Sequence, residues 1–212
     1  MTDFQSPRVT FFHAPQTRSG ATRALFEELG VEVDMQVLNL KAGDTRKSEY
    51  LAINPMGKVP AIRHGDALIT EQPAVMMYLA DLYPEAKLAP PIGDPLRGPY
   101  LRWMVFYGSC FEPAVIDKFM KREPAPPSSS PYGDFDTMLG TLVDQLGRGP
   151  YLLGETFSAA DVLYGTALSW MVQFKLVPEL PLIRAYIERV TSRPAMRRAA
   201  AADAALAAKQ LE

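Results

Sequence analysis

The sequence predicts two structural units, a mixed α/β domain followed by an all-helical domain. Three features of the 212-residue chain predict this fold class. Residues 1–83 alternate between strand-like and helix-like patterns, whereas residues 100–212 carry only helical periodicity. Between them, residues 84–99 contain five prolines, which cannot continue a helix. We therefore expect residues 84–99 to form a linker between two domains.

The first half opens with a strand, a helix and a second strand. Residues 8–12 are a β-rich run, RVTFF, and residues 21–29 have the spacing of a helix that Gly30 closes. Residues 32–40 alternate and predict the second strand. Residues 45–53 predict a short polar helix that ends before Asn54-Pro55.

Residues 54–69 predict a turn followed by a β-hairpin. Val59-Pro60 follows a glycine-containing turn and precedes an apolar run, so we expect Pro60 to begin a strand rather than interrupt one. A cis peptide bond is a candidate here, because cis bonds in folded proteins are essentially confined to X-Pro sequences. His64-Gly65-Asp66 lies between two short apolar runs and predicts the hairpin turn.

An apolar helical repeat follows the hairpin, with Thr70 as its candidate N-cap and Pro73 in its first turn. The order of elements in residues 1–83 is then β-α-β-α-β-β-α. This order is compatible with an α/β thioredoxin-like domain, a mixed sheet with helices on both faces. The Cys-x-x-Cys motif of thioredoxin itself is absent, so its redox chemistry is not expected.

The C-terminal domain is predicted to be all-α. Residues 101–121 predict a long helix, which ends at the prolines and serines of residues 123–131. Ser158 and Asp161 form a Ser-x-x-Asp capping signal, so we expect the Asp161 carboxylate to be structural rather than catalytic. The alanine-rich residues 199–208 form helix readily and predict no site. Further helical patterns cover residues 132–146, 158–174, 180–191 and 194–208.

Composition argues against several function classes. The formal net charge is −2, which gives no bulk attraction to nucleic acid or to an anionic membrane, and no apolar run is long enough to cross a bilayer. The N-terminal sequence MTDFQSPR lacks a secretory-signal pattern. The single cysteine, Cys110, excludes an intramolecular disulfide and favours a reducing cytoplasm. With two histidines in the chain, no cysteine- or histidine-rich metal site is expected.

The order of turn, Val-Pro, hairpin, acidic-polar pair and helix resembles the glutathione-binding half of the glutathione transferases, and Phe-Ser-x-Ala-Asp at 157–161 resembles their helical domain. The resemblance implies the glutathione transferase fold, with glutathione as co-substrate and no other cofactor. It implies that the backbone of Val59 pairs with the cysteinyl part of glutathione and that Lys58 reaches the glycyl carboxylate. It assigns the γ-glutamyl end to Glu71 and Gln72, although the family most often has serine or threonine where Gln72 stands.

Glutathione transfer requires the ligand's thiol as a thiolate. A thiol with a pKa of about 8.5 is only a few per cent ionised at neutral pH, and lowering this pKa by about two units takes roughly 2.7 kcal/mol of selective stabilisation. A helix N-terminus supplies about 0.3–1 kcal/mol, and up to about 2 kcal/mol when partly buried. One hydroxyl hydrogen bond to an anion supplies on the order of 1.5–3 kcal/mol. A hydroxyl beside a helix start would therefore complete the site.

The loop at residues 15–20 offers two such hydroxyls, Thr17 and Ser19. Counting back from Gly30, Ser19 falls where theta- and tau-like transferases carry their catalytic serine, so Ser19 is the preferred thiolate donor and Thr17 the alternative. Ser19 could equally serve as the cap of its helix. Arg18 falls where the beta-like bacterial class has its cysteine.

The second substrate implied by the resemblance is a small apolar electrophile or a peroxide. Tyr107 and Phe111 are the candidate pocket wall, although aromatic residues at helical spacing also suit a core. The resemblance further implies a homodimer, with Met56 as a candidate contact. A rival interpretation is a transferase-like fold that serves as a non-catalytic binding or regulatory module. The intact set of ligand-facing residues favours the enzyme.

Overall fold

A computed structural model of the chain describes residues 8–210. The N-terminal residues 1–7, on which the expectation about a secretory signal mainly rests, lie outside the described residues, as do residues 211 and 212. Over the described range, none of the helices has the length and apolar character needed to cross a membrane.

The first half forms a four-stranded sheet flanked by helices. The strand order is β2-β1-β3-β4, in which β2 runs parallel to β1 and the β3–β4 hairpin runs antiparallel. This mixed sheet confirms the thioredoxin-like domain. The strands are β1 (Val9–His13), β2 (Asp34–Val37), β3 (Ala61–His64) and β4 (Ala67–Ile69), and the helices are α1 (Ser19–Leu29), α2 (Ser48–Leu51) and α3 (Gln72–Leu82).

Local sequence signals account for most boundaries in this domain. Gly30 ends α1 with a left-handed backbone, φ 68°, and the Val59-Pro60 peptide bond is cis, as expected. The prediction that Thr70 is the N-cap of α3 is wrong, because the N-cap is Glu71. Glu71 has φ 63°, a conformation that costs free energy for a residue with a Cβ atom.

The second half is all-helical, as predicted, but its first helix differs in two ways. It begins at Arg97, inside the predicted linker, because Pro99 falls in the first turn, where no intrahelical donor is needed. It also passes through a π-helical turn, Tyr107–Phe111, before continuing. The helices are α4 (Arg97–Phe106), α5 (Glu112–Phe119), α6 (Phe135–Leu146), α7 (Ala159–Gln173), α8 (Pro181–Thr191) and α9 (Pro194–Lys209).

Helix α1 joins the two halves, since it packs against both α7 and α9. One apolar core continues from Phe11 and Leu25 to Trp103 and Tyr164, all of them fully buried or nearly so. Two ion pairs link α1 to α9. Arg193, the N-cap residue of α9, donates to both carboxylate oxygens of Glu28 at 2.7 Å. Arg198 donates to the carboxylate of Glu27 at 2.9 Å. The hydroxyl-bearing loop that precedes α1 therefore lies where the two halves meet.

The capping signal before α7 is structural, as expected. The buried Asp161 carboxylate accepts from the backbone N–H of Ser158 at 2.9 Å and from the backbone N–H of Leu152 at 2.8 Å. It also accepts from the hydroxyl of Tyr186 at 2.9 Å. Asp161 thus anchors the start of α7 to two neighbouring segments, and every contact it makes is within the protein.

Candidate active site

The loop between β1 and α1 leads into two hydroxyl residues, Thr17 and Ser19. Thr17 is partly exposed, and its hydroxyl donates to the carbonyl of Ala14 at 2.7 Å. Helix α1 begins two residues later, and the backbone N–H of its first residue, Ser19, donates to the Thr17 hydroxyl at 3.2 Å. A hydroxyl and the positive end of a helix dipole therefore occupy the same corner, the combination that stabilises an anion.

Ser19, the preferred donor from the sequence, is fully buried beneath this loop. Its Oγ accepts from the backbone N–H of Ala14 at 3.1 Å and donates to the carbonyl of Ala14 at 3.0 Å. It also lies 2.8 Å from the hydroxyl of Thr17 and 2.8 Å from Nδ1 of His13. Of the two candidate donors, Ser19 is thus fully buried and Thr17 is partly exposed, and which of them donates to a thiolate stays a prediction.

The cis Val59-Pro60 turn lies at the start of β3, which is paired with β1. The carbonyl of Lys58 turns inward, where it accepts from the hydroxyl of Tyr50 at 2.6 Å and from the side-chain amide of Asn54 at 2.9 Å. Within residues 8–210 the backbone of Val59 has no hydrogen-bond partner. Val59 therefore offers a free N–H and carbonyl, and the side chain of Lys58 is exposed beside them.

Gln72 connects the start of α3 to the loop. Its side chain is nearly buried, and its amide Nε2 donates to the carbonyl of Arg18 at 2.7 Å. Its Oε1 is buried and has no partner in the described part of the chain. The loop thus uses one of the two N–H bonds of the Gln72 amide and leaves its oxygen without a partner, and the contact of Gln72 with a ligand stays a prediction.

Arg18 and Glu112 form an ion pair from the loop to the first turn of α5. Burial alone lowers the pKa of Arg18, but the Glu112 carboxylate more than offsets it, and the pKa is raised. Both side chains remain partly exposed, at 47% and 23%. Arg18, the residue after Thr17, is thereby tied to the helical domain.

Tyr107 and Phe111, the predicted pocket wall, lie in the core instead. Phe111 is fully buried and Tyr107 is 2% exposed, and both rings pack against the ring of Tyr164. The two residues are four positions apart in the chain, so their side chains lie on nearly the same face of the helix, and that face packs inward. Burial and the nearby Glu112 charge raise the pKa of Tyr107, so its phenol stays neutral. Surface depressions between α7 and α8 and beside α4 contain none of the predicted site residues.

Sequence reasoning missed two residues that contact the loop from below, His13 and Asp203. The imidazole Nε2 of His13 lies 2.9 Å from Oδ1 of Asp203, and Oδ2 of Asp203 accepts from the backbone N–H of Gln16 at 2.9 Å. The alanine-rich tail thus contributes one side chain, Asp203, to the support of this loop. One signal was present: Asp203 is the only charged residue between Ala199 and Ala208. Within residues 8–210 no group of three or more potential metal ligands is found.

Comparisons with known proteins agree with this architecture. Family models described as the N-terminal and C-terminal domains of glutathione S-transferase match residues 7–81 and 132–189. Glutathione S-transferase GstA from Escherichia coli is 29% identical over 199 residues, which cover 91% of this chain and 97% of the relative. A glutathione transferase structure from Methylococcus capsulatus is 30% identical, with a TM-score of 0.77, over 93% of this chain and 99% of that chain. A sphingomonad glutathione S-transferase complexed with glutathione is 28% identical, with a TM-score of 0.75, over 92% of this chain and 98% of that chain.

A thioredoxin-like domain with a cis proline, packed through its first helix against a helical domain, defines the glutathione transferase fold. The matches span nearly the full length of this chain and of its relatives. The chain belongs to the glutathione transferase family, and it is a glutathione transferase.

Proposed function

We propose that this enzyme binds glutathione along the Val59 edge and holds its sulfur as a thiolate beside Thr17. The observation that carries the proposal is the position of Thr17, which is the partly exposed residue of the loop pair and whose hydroxyl lies 3.2 Å from the backbone N–H of Ser19, the first residue of α1. A hydroxyl hydrogen bond of about 1.5–3 kcal/mol and a helix dipole of about 0.3–1 kcal/mol together match the roughly 2.7 kcal/mol that a two-unit lowering of the thiol pKa requires.

The free backbone groups of Val59 and the charge of Lys58 support the orientation of the tripeptide. The N–H and carbonyl of Val59 pair with the cysteinyl residue as an added strand, and the exposed Lys58 ammonium binds the glycyl carboxylate. The link from Gln72 to the carbonyl of Arg18 keeps the start of α3 close to the thiolate loop. The sulfur then points at the loop.

The acidic-polar pair is proposed to hold the ammonium group of the γ-glutamyl end. Two features support this: the free buried atom of Gln72 is the acceptor Oε1, and the neighbouring Glu71 carboxylate is exposed. Both atoms attract a cation and neither can donate to a carboxylate. The strained backbone of Glu71, with φ 63°, is the kind of local cost that accumulates at binding sites.

The second substrate is proposed to be a small apolar electrophile or a peroxide that approaches Thr17 from the side of α5. The second substrate then lies next to the Arg18–Glu112 pair. Tyr107 and Phe111 are buried behind this pair and do not touch the substrate. The exposed Met56, at 66%, supports the proposal that the enzyme works as a homodimer, with Met56 in the partner contact. A cytoplasmic detoxification role follows from this chemistry.

The experiment that tests the thiolate site is an ultraviolet titration of glutathione bound to the wild-type enzyme. We expect a thiol pKa about two units below that of free glutathione, together with turnover of a generic aryl halide. Binding by calorimetry with an unshifted thiol pKa and no turnover would favour the rival function, a non-catalytic glutathione-binding module. Absence of binding by folded protein would overturn both.

A further inference from the structure

Arg18 ties three elements together beside the proposed thiolate site. It directly follows Thr17 in the chain, and its guanidinium binds the carboxylate of Glu112 in the first turn of α5. Its carbonyl accepts from the side-chain amide of Gln72 at 2.7 Å, which brings in the start of α3. The loop before α1, the start of α3 and the start of α5 therefore meet at one residue, Arg18.

An open patch of helix surface lies next to this ion pair. Gly108 and Val105 precede Glu112 by four and seven residues, so the three positions share nearly one face of the helix. Gly108 is exposed, and outside its own helix a Cβ atom added there would have one described neighbour within 4 Å, Cγ of Pro73 at 3.5 Å. Val105 is 57% exposed. The patch is thus apolar and uncrowded, and it ends at the ion pair.

The ion pair leaves most of the Arg18 guanidinium available. A guanidinium has five N–H donors, and Glu112 takes the one on Nε. Among residues 8–210 the terminal nitrogens of Arg18 have no hydrogen-bond partner. The side chain of Arg18 is 47% exposed and that of Glu112 is 23% exposed. The more exposed charge of the pair is therefore the cation, whose planar fork matches the geometry of a carboxylate.

The surroundings of Arg18 favour an anion further. Arg18 is the N-cap residue of α1, so the positive end of that helix dipole lies at the same corner. Within the described range, Glu112 is the one carboxylate whose charge acts on the guanidinium. An anionic group that binds the terminal nitrogens of Arg18 is therefore opposed by a single carboxylate, which is already paired.

We propose that the second substrate is an apolar electrophile that carries a carboxylate, and that Arg18 binds this carboxylate while the apolar part lies along Gly108 and Val105. The inference rests on the proposed function, because it places the electrophile beside the sulfur held at Thr17. Arg18 is then a specificity-determining residue. With an aryl halide, a sulfur lone pair forms the carbon–sulfur bond and the halide leaves with the electrons of the carbon–halogen bond. The carboxylate takes no part in the bond changes.

The test compares two electrophiles that have the same ring and leaving group, a chlorodinitrobenzoate and its carboxamide. Each kcat/KM is divided by the uncatalysed rate constant with glutathione at the same pH, which removes the difference in intrinsic reactivity. In the wild-type enzyme we expect the normalised value to be about fivefold higher for the carboxylate, the size expected of one charge pair in a half-exposed site.

Two variants should move this ratio in opposite directions. Arg18→Gln removes the cation, so the preference for the carboxylate should disappear. Glu112→Gln removes the opposing carboxylate and keeps the cation, so the preference should increase by about fivefold. An ion pair that only supports the fold would affect both electrophiles equally in each variant. The matched control is Arg122→Gln, which breaks the exposed pair with Asp117 elsewhere on α5 and should leave the ratio at the wild-type value.

The outcomes separate this inference from the proposed function. A wild-type ratio near one, with the carboxamide turned over, would overturn the inference and leave the proposed function standing. A raised thiol pKa of bound glutathione in Arg18→Gln, with equal losses for both electrophiles, would overturn it as well, because Arg18 would then act on the sulfur. An unshifted thiol pKa and no turnover in the wild type would refute the proposed function and this inference together. If Arg18→Gln does not fold, the direction of the change in Glu112→Gln decides.

Discussion

Replacing Thr17 with valine removes the accessible hydroxyl of the loop and keeps nearly the same side-chain volume. In the structure this hydroxyl donates to the carbonyl of Ala14, which retains the hydroxyl of Ser19 as a second donor at 3.0 Å. The loop should therefore keep its shape in Thr17→Val. The variant loses the acceptor of the Ser19 backbone N–H, at 3.2 Å, and the proposed hydrogen bond to the bound sulfur.

The size of the effect follows from that one bond. A hydrogen bond to an anion contributes about 1.5–3 kcal/mol, and one pKa unit corresponds to about 1.36 kcal/mol, so the thiol pKa of bound glutathione should rise by about one to two units. The helix dipole remains and keeps the pKa somewhat below that of free glutathione. Binding of glutathione should change little, because the hydroxyl acts on the ionised sulfur.

The assay is the pH dependence of single-turnover conjugation, with the ultraviolet titration of the bound thiol as an independent readout. Thr17→Ser keeps a hydroxyl at the same position and should retain most of the lowered pKa. The reasoning is refuted if Thr17→Val leaves the thiol pKa unchanged and Ser19→Ala raises it by the full amount. That result would return the donor role to Ser19 despite its burial.

Three further predictions concern the support of the site. Arg193→Ala should lower the free energy of unfolding by about 3 kcal/mol, because Glu28, 6% exposed, is left without its partner. Arg198→Ala breaks the more exposed pair with Glu27 and should lower the free energy of unfolding by less than about 1 kcal/mol. Equal losses for Arg193→Ala and Arg198→Ala in urea denaturation would contradict this prediction. Asp161→Asn should lower the free energy of unfolding in urea by about 2–4 kcal/mol. The two carboxylate oxygens of Asp161 accept from four donors, and an asparagine side chain has only one oxygen. A loss below about 1 kcal/mol would contradict this prediction. Gly165→Ala should lower the free energy of unfolding by about 1–3 kcal/mol, because the added Cβ atom would clash with a methyl group of Val190 in α8. Thermal unfolding measures the loss, and an unchanged melting temperature would show that α7 and α8 move apart freely.

Much of the fold could be predicted from the sequence because it depends on neighbouring residues. The Val59-Pro60 turn, the glycine hairpin and the Ser158–Asp161 cap each combine residue types whose backbone preferences or short-range hydrogen bonds leave few alternatives. The order of elements in the first half followed from these signals. Prediction failed locally at two helix starts: the cap of α3 lies one residue after Thr70, and α4 begins at Arg97, four residues before the expected start.

The site was predictable only as a region. The sequence identified the loop, the proline edge and the acidic-polar pair, but periodicity does not tell which neighbour covers a side chain. It therefore could not separate the buried Ser19 from the partly exposed Thr17, and it placed Phe111 on a pocket wall rather than in the core. Nor could it show that the amide of Gln72 is already bonded to the loop.

The sequence by itself determined the two-domain architecture and the family, and it predicted the corner proposed to bind the thiol, since these depend on turn chemistry, capping and short motifs. Only the tertiary structure decided which hydroxyl faces outward and which charged group lies behind it. Asp203 reaches His13 because α9 packs on α1, and a contact between the two ends of a chain leaves no periodic trace in the residues around it.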